Sequence, residues 1–201
     1  DKGIDFAVSG ARSGAGTGRH FPGGALLSFG MINQVEEFAD LVHSGKLHFD
    51  PAQTMFFLAG GLNDRGAGPG YTRNNEDAEI DTLYALGGRR FMVALLPTKI
   101  PPFATAGEQI NPEIEQIPAD ERAKHPGIRV AISDWGPFYD QVITHPTQYG
   151  IANTTDTCAG RSIFNQNTTP CASPQTHFYY HSGHPSTATH KAVGEMLYHE
   201  A

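Results

Sequence analysis

Four short apolar runs, each closed by a turn residue, constrain this chain more than any other feature. Asp5-Phe6-Ala7-Val8-Ser9 runs into Gly10, and Thr54-Met55-Phe56-Phe57-Leu58-Ala59 stops at Gly60-Gly61. Residues 90–96, from Arg90 through Phe91 and Val93 to Leu96, stop at Pro97, and residues 128–132 stop at Ser133-Asp134. A strand with one wet face alternates apolar and polar positions. A strand covered on both faces reads as a continuous run, as in a parallel sheet. The runs therefore predict buried strands near residues 4–9, 54–59, 90–96 and 128–132.

Helical patterns lie between the runs. Residues 33–42 place Val35, Phe38, Leu41 and Val42 on one face, with Gly45 as a stop. Residues 74–86 place Ile80, Leu83, Tyr84 and Leu86 inward, with Asn75-Glu76-Asp77 at the positive helix start. A further helix is expected within residues 112–124, another over 135–143 and a last over 185–198. Strand and helix in alternation imply parallel strands joined by right-handed crossovers, an α/β fold in a single domain over residues 1–201. Ligands in such sheets bind beyond the carboxyl ends of the strands.

Composition narrows the class of function. Charged residues are 17% against roughly a quarter in an average soluble protein, and there are 23 glycines and 14 prolines. The net charge is −7, and no Lys/Arg cluster exceeds Arg89-Arg90. A nucleic-acid binder needs a basic face, so nucleic acid is not an expected partner. The longest apolar run falls far short of the roughly 20 residues a membrane span requires. The opening Asp1-Lys2-Gly3 reads as a mature or cut end rather than a signal peptide. Cys158 and Cys171 flank a polar stretch that calls for a staple. A disulfide and an oxidising, secreted setting are expected, with two free thiols as the alternative. Asn153-Thr154-Thr155 and Asn167-Thr168-Thr169 are glycosylation sequons.

The strand ends carry the chemistry. Gly10 closes the first run, Gly61-Leu62-Asn63-Asp64 follows the second, and His181-Ser182-Gly183-His184-Pro185 opens the last helix. A glycine lets its backbone N–H approach a ligand, and an Asn amide beside it adds a second donor; two converging donors suit a developing oxyanion. A histidine held next to a proline at a helix start can act as general base. Singly, each has a plainer reading: Gly10 as a turn glycine, Asn63-Asp64 as an Asx-type turn, His184 as a surface residue.

Taken in order, these segments resemble the SGNH (GDSL-type) hydrolases, in particular their lipase, plant-type esterase and haemolysin-like branch. Phe6-Ala7-Val8-Ser9-Gly10-Ala11 is similar to the family's second block and Gly61-Leu62-Asn63-Asp64 to its third. Leu83 to Phe91 with Leu96-Pro97 resembles the helix-to-strand segment that follows, and Cys158 to Cys171 with Phe178 to Ser186 the closing block. The resemblance implies a three-layer α/β/α sandwich. It also implies hydrolysis of a small-molecule carboxylic ester without metal or organic cofactor, His184 being the base and Gly10 and Asn63 the oxyanion hole.

Two departures from the family pattern stand out. The family's first block, Gly-Asp-Ser with the nucleophile, precedes the second, and this chain starts almost at the second. The first strand and its Ser are expected on an upstream segment, leaving an open slot in the sheet. Ser9, Ser13 and Ser28 lack a nucleophile motif, since Gly10-Ala11-Arg12-Ser13-Gly14 is not a Gly-x-Ser-x-Gly elbow. The family also carries Asp three residues before the His, where this chain has His181. A backbone carbonyl, an ion or another acid such as Asp64 or Asp156 is then expected to orient His184. The alternatives are a catalytically inactive binding or assembly module and a zinc site built from His177, His181, His184 and His190.

Overall fold

The structure, a computed structural model, describes residues 3–21 and 24–200. Asp1-Lys2, on which the mature-end reading rests, lie outside the described residues. The chain divides into two compact units, Asp1–Leu95 with Glu108–Ile132, and Leu96–Gly107 with Ser133–Ala201.

The first unit opens with an antiparallel hairpin, β1 (Thr17–His20) and β2 (Leu26–Phe29), in which Thr17 faces Phe29 and Arg19 faces Leu27. Helix α1 (Met31–His43) follows, and then β3 (Phe56–Leu58), α2 (Tyr71–Ala85) and β4 (Arg90–Ala94). Helix α3 (Ala104–Ile114) starts in the second unit and ends in the first, where α4 (Ile117–Lys124) and β5 (Arg129–Ser133) complete the order. β3 and β4 are parallel, Phe56 opposite Phe91 and Leu58 opposite Val93, and β5 lies on the other side of β4. Parallel strands joined through α2 give the expected α/β class.

Three of the four predicted strands form. β4 is the central one, and residues 91–97 are all buried, as a continuous apolar run requires. β3 corrects the expectation of two covered faces. It pairs only with β4 among the described residues, and Phe57 is 37% exposed. Residues 4–9 form no strand, because no ladder partner lies beside them among the described residues. Ile4 stands 64% exposed, while Phe6 packs edge-on against Phe38 with ring centroids 5.7 Å apart. Phe38 goes on to Phe49 and Phe56, and Phe56 stacks on Phe91. Such pairs add about 0.5–1.5 kcal/mol each beyond their buried area.

The helices shift from their predicted bounds for local reasons. α2 begins at Tyr71 rather than near Asn74, because Gly70 turns the chain at φ +77° and its N–H is held by the Glu113 carboxylate at 3.0 Å. Glu76 therefore sits in the second turn and is buried, not at the dipole end. The helix expected within 112–124 is α4, and the preceding α3 ends just inside that range at Ile114. Pro118 occupies the first turn of α4, where its missing N–H costs nothing.

The second unit contains α5 (Trp135–Thr144), β6 (Asn153–Thr157), β7 (His177–His181), β8 (His184–Pro185) and α6 (Thr187–Glu200). β6 and β7 are parallel, and β7 and β8 form a tight antiparallel pair. Its core gathers Ile100, Tyr139, Val142, Ile151, Phe178, Tyr179 and Val193. Cys158 and Cys171 are bonded, with Cα atoms 4.7 Å apart, so the expected staple is present.

Candidate active site

In the first unit the turn at residues 8–11 is closed by a bond from Ala11 N–H to Val8 carbonyl at 3.1 Å. Gly10 is the third residue of that turn, and its N–H donates to no described residue. Gly10 has φ +74°, which glycine adopts without strain, and a Cβ there would meet Ser28 Oγ at 3.2 Å. Ser28 N–H donates to Ser9 carbonyl at 2.8 Å, tying the turn to β2, and Ser28 itself has φ 60°.

β3 leads into the second element. Gly61 turns the chain at φ +102°, and Asp64 N–H closes onto Gly61 carbonyl at 3.0 Å. This exposes the Asn63 side chain, whose Nδ2 donates to the Ala11 carbonyl at 2.9 Å. A primary amide carries two N–H donors, so one holds the loop and the other remains as a donor. Gly10 and Asn63, expected to share a role, thus sit on two loops joined by a hydrogen bond.

Asp64 locks the same loops from below. It is 3% exposed and accepts from Ser13 N–H at 3.1 Å, Ser13 Oγ at 2.6 Å and Thr72 Oγ1 at 2.8 Å. Asn75 Nδ2 donates in turn to Ser13 Oγ at 3.0 Å. The sequence reading did not find this network. Its partners are 51 and 8 residues from Asp64, a pairing that no local pattern encodes. Asp64 is thereby engaged as a buried acceptor rather than standing by as a spare acid.

α2 itself carries two more carboxylates that the pattern did not single out. Glu76 and Glu79 are 0% and 1% exposed, on the face that also buries Ile80 and Leu83. No carboxylate oxygen of either accepts a hydrogen bond of good geometry from a described residue, and at Glu76 the Gly60 backbone partly offsets the cost of burial. Burial pushes Glu76 up to about 8 and Glu79 up to about 9, the neighbouring carboxylates adding to the rise. Their i, i+3 spacing in register with Ile80 and Leu83 was the available signal.

In the second unit His184 lies in β8, not at the start of the last helix as expected. A two-residue turn with Gly183 at φ +74° pairs His184 opposite His181, and Ser186 N–H then donates to Phe178 carbonyl at 2.7 Å. Ser186 Oγ accepts Thr189 N–H at 3.3 Å, so the helix begins after Ser186. The His181 and His184 rings meet with centroids 4.5 Å apart. Burial, then the cationic forms of His181, Arg161 and His190, hold His184 down to about 4. Desolvation and Arg161 lower His181 as well. Among the described residues no carboxylate or carbonyl is hydrogen-bonded to the His184 ring, which corrects the expectation of an orienting oxygen there. Asp156 accepts from Asn153 Nδ2 at 2.8 Å instead.

The four histidines weighed as a zinc site do not converge. His177 Nδ1 lies 2.9 Å from Ser173 carbonyl, and His190 Nδ1 lies 3.3 Å from Tyr139 Oη.

Compared with known families, residues 1–197 match the GDSL-like Lipase/Acylhydrolase family. The chain belongs to that family, whose members are hydrolases acting on esters. No curated protein matches it.

Proposed function

We propose that this chain forms the body of a serine carboxylic-ester hydrolase, organised as one domain over residues 1–201. In this reading a Ser on a segment upstream of the chain attacks the ester carbonyl of a small-molecule substrate. His184 accepts its proton and returns it to the leaving alcohol. The Gly10 N–H and the second Asn63 amide hydrogen receive the oxyanion. No metal or organic cofactor takes part.

The observation that carries the reading is the Asn63 Nδ2 to Ala11 carbonyl bond, which fixes the two oxyanion donors on adjoining loops. The open edge of β3, with Phe57 exposed, is compatible with an added strand carrying the nucleophile. The His184 imidazole, held down to about 4, is neutral at neutral pH, the form from which a general base starts. The disulfide, and the absence among the described residues of a helix long and apolar enough to cross a membrane, agree with secretion, which this reading includes. Glycosylation is proposed at Asn167, which is exposed.

Turnover of short p-nitrophenyl esters by the full-length protein tests the reading. Asn63→Ala and His184→Ala are each expected to reduce turnover steeply while leaving the circular dichroism unchanged. A full-length protein that is folded and hydrolyses no ester would instead support the binding-module alternative.

A further inference from the structure

We propose that Asp81, Glu121 and His125 form a zinc-binding site that clamps α2 to the end of α4, remote in sequence from every catalytic candidate. One ligand atom from each of the three lies within 4.8 Å of the other two. His125 Nε2 is 2.6 Å from Asp81 Oδ1 and 3.4 Å from Glu121 Oε2.

His125 Nε2 carries too few protons to satisfy both carboxylates. A single hydrogen on His125 Nε2 can serve only one oxygen, and the shorter contact gives it to Asp81. Glu121 Oε2 is left buried with no hydrogen bond from any described residue, on a side chain only 2% exposed. A buried, unpartnered carboxylate oxygen is costly, and it is aimed at the same nitrogen. A divalent cation in place of that proton would take the Nε2 lone pair and both carboxylate oxygens at once. One imidazole and two carboxylates suit Zn²⁺, which binds His nitrogen and carboxylate oxygen at about 2.0–2.2 Å and accepts water as its fourth ligand. Asp81, 41% exposed, leaves that fourth side open to solvent. The ring is already oriented. It stacks on Tyr84 with centroids 4.2 Å apart, and Tyr84 Oη donates to Pro126 carbonyl at 2.9 Å.

One competitor is present. Lys124 Nζ pairs with Asp81 and lies 3.6 Å from Glu121 Oε1. The lysine is 46% exposed on a flexible stem, so it can withdraw to solvent when a metal enters.

Isothermal titration of chelator-stripped, non-reduced full-length protein with Zn²⁺ tests the proposal. The disulfide keeps Cys158 and Cys171 from binding metal in that preparation. One Zn²⁺ per chain is expected, weakened at least about 10-fold in His125→Ala and in Glu121→Gln. Lys124→Met removes only the exposed competitor, so it is expected to fold normally and bind Zn²⁺ more tightly than the wild type. Failure of the wild type to bind one equivalent overturns the proposal. So does equal affinity in His125→Ala, or no gain in Lys124→Met.

Discussion

Asn63 donates its side-chain amide to the carbonyl of Ala11, 52 residues earlier, at 2.9 Å. That bond joins the turn holding Gly10 to the loop after β3, so neither donor can drift without moving the other. Asn63→Ala is therefore expected to do two things: remove a proposed oxyanion donor and loosen the Gly10 loop. Loss of one such donor costs about 10²–10³ in turnover. Steady-state kinetics on short esters are expected to show that loss in kcat, with KM changing little.

How legible this arrangement was in the sequence depends on how local its causes are. The run ending at Leu96 and the stripe of Ile80 and Leu83 were readable because period and burial coincide there. The Gly61 to Asp64 loop was readable from residue type alone. The β1–β2 hairpin was not, since Thr17, Arg19 and His20 are polar and Gly18 sits at φ +75°. β6, Asn-Thr-Thr-Asp-Thr, is equally silent, because its place is set by pairing with β7 and not by its own apolar content. At residues 4–9 the apolar run was visible, but its partner strand was a matter of tertiary context. His184 was singled out by residue type but assigned to the wrong element, since the Ser182-Gly183 turn extends the hairpin through Pro185.

Asp64 is expected to matter first for stability. Asp64→Ala leaves the Ser13 N–H, Ser13 hydroxyl and Thr72 hydroxyl without their acceptor. Hydrogen bonds to a charged group contribute about 1.5–3 kcal/mol, so the combined loss is about 3 kcal/mol or more. Thr72→Val removes one donor and is expected to cost roughly half as much. Urea denaturation of the two variants measures both; equal midpoints for Asp64→Ala and the wild type would remove Asp64 from the account.

Glu76 and Glu79 make stability fall as pH rises. Their folded-state values lie above the ordinary value of 4.5, at about 8 and about 9. Between those limits the folded protein holds protons that the unfolded chain has released, so the slope of unfolding free energy against pH is negative. Their contribution is full below about pH 4.5 and is lost as pH rises through 8 to 9. Denaturation midpoints at pH 5 and pH 8.5 are expected to show the drop, and Glu76→Gln with Glu79→Gln is expected to flatten it.

As the proposed general base, His184 is expected to set the acid limb of the activity profile. As a general base it works only when neutral, and its environment holds it down to about 4. The rate constant kcat/KM is expected to stay level down to about pH 5 and to fall below that. An ordinary histidine would begin to fall near 6.5. An acid limb near 6.5 would place a compensating carboxylate on the ring after all.

The central claim is that a serine and His184 act together on an ester carbonyl. Reacting the native full-length protein with a fluorophosphonate probe and mapping the adduct by peptide mass spectrometry tests it most directly. The account predicts one labelled serine, located upstream of Asp1, with ester turnover lost on labelling and labelling lost in His184→Ala. Full labelling and full activity in His184→Ala would contradict it.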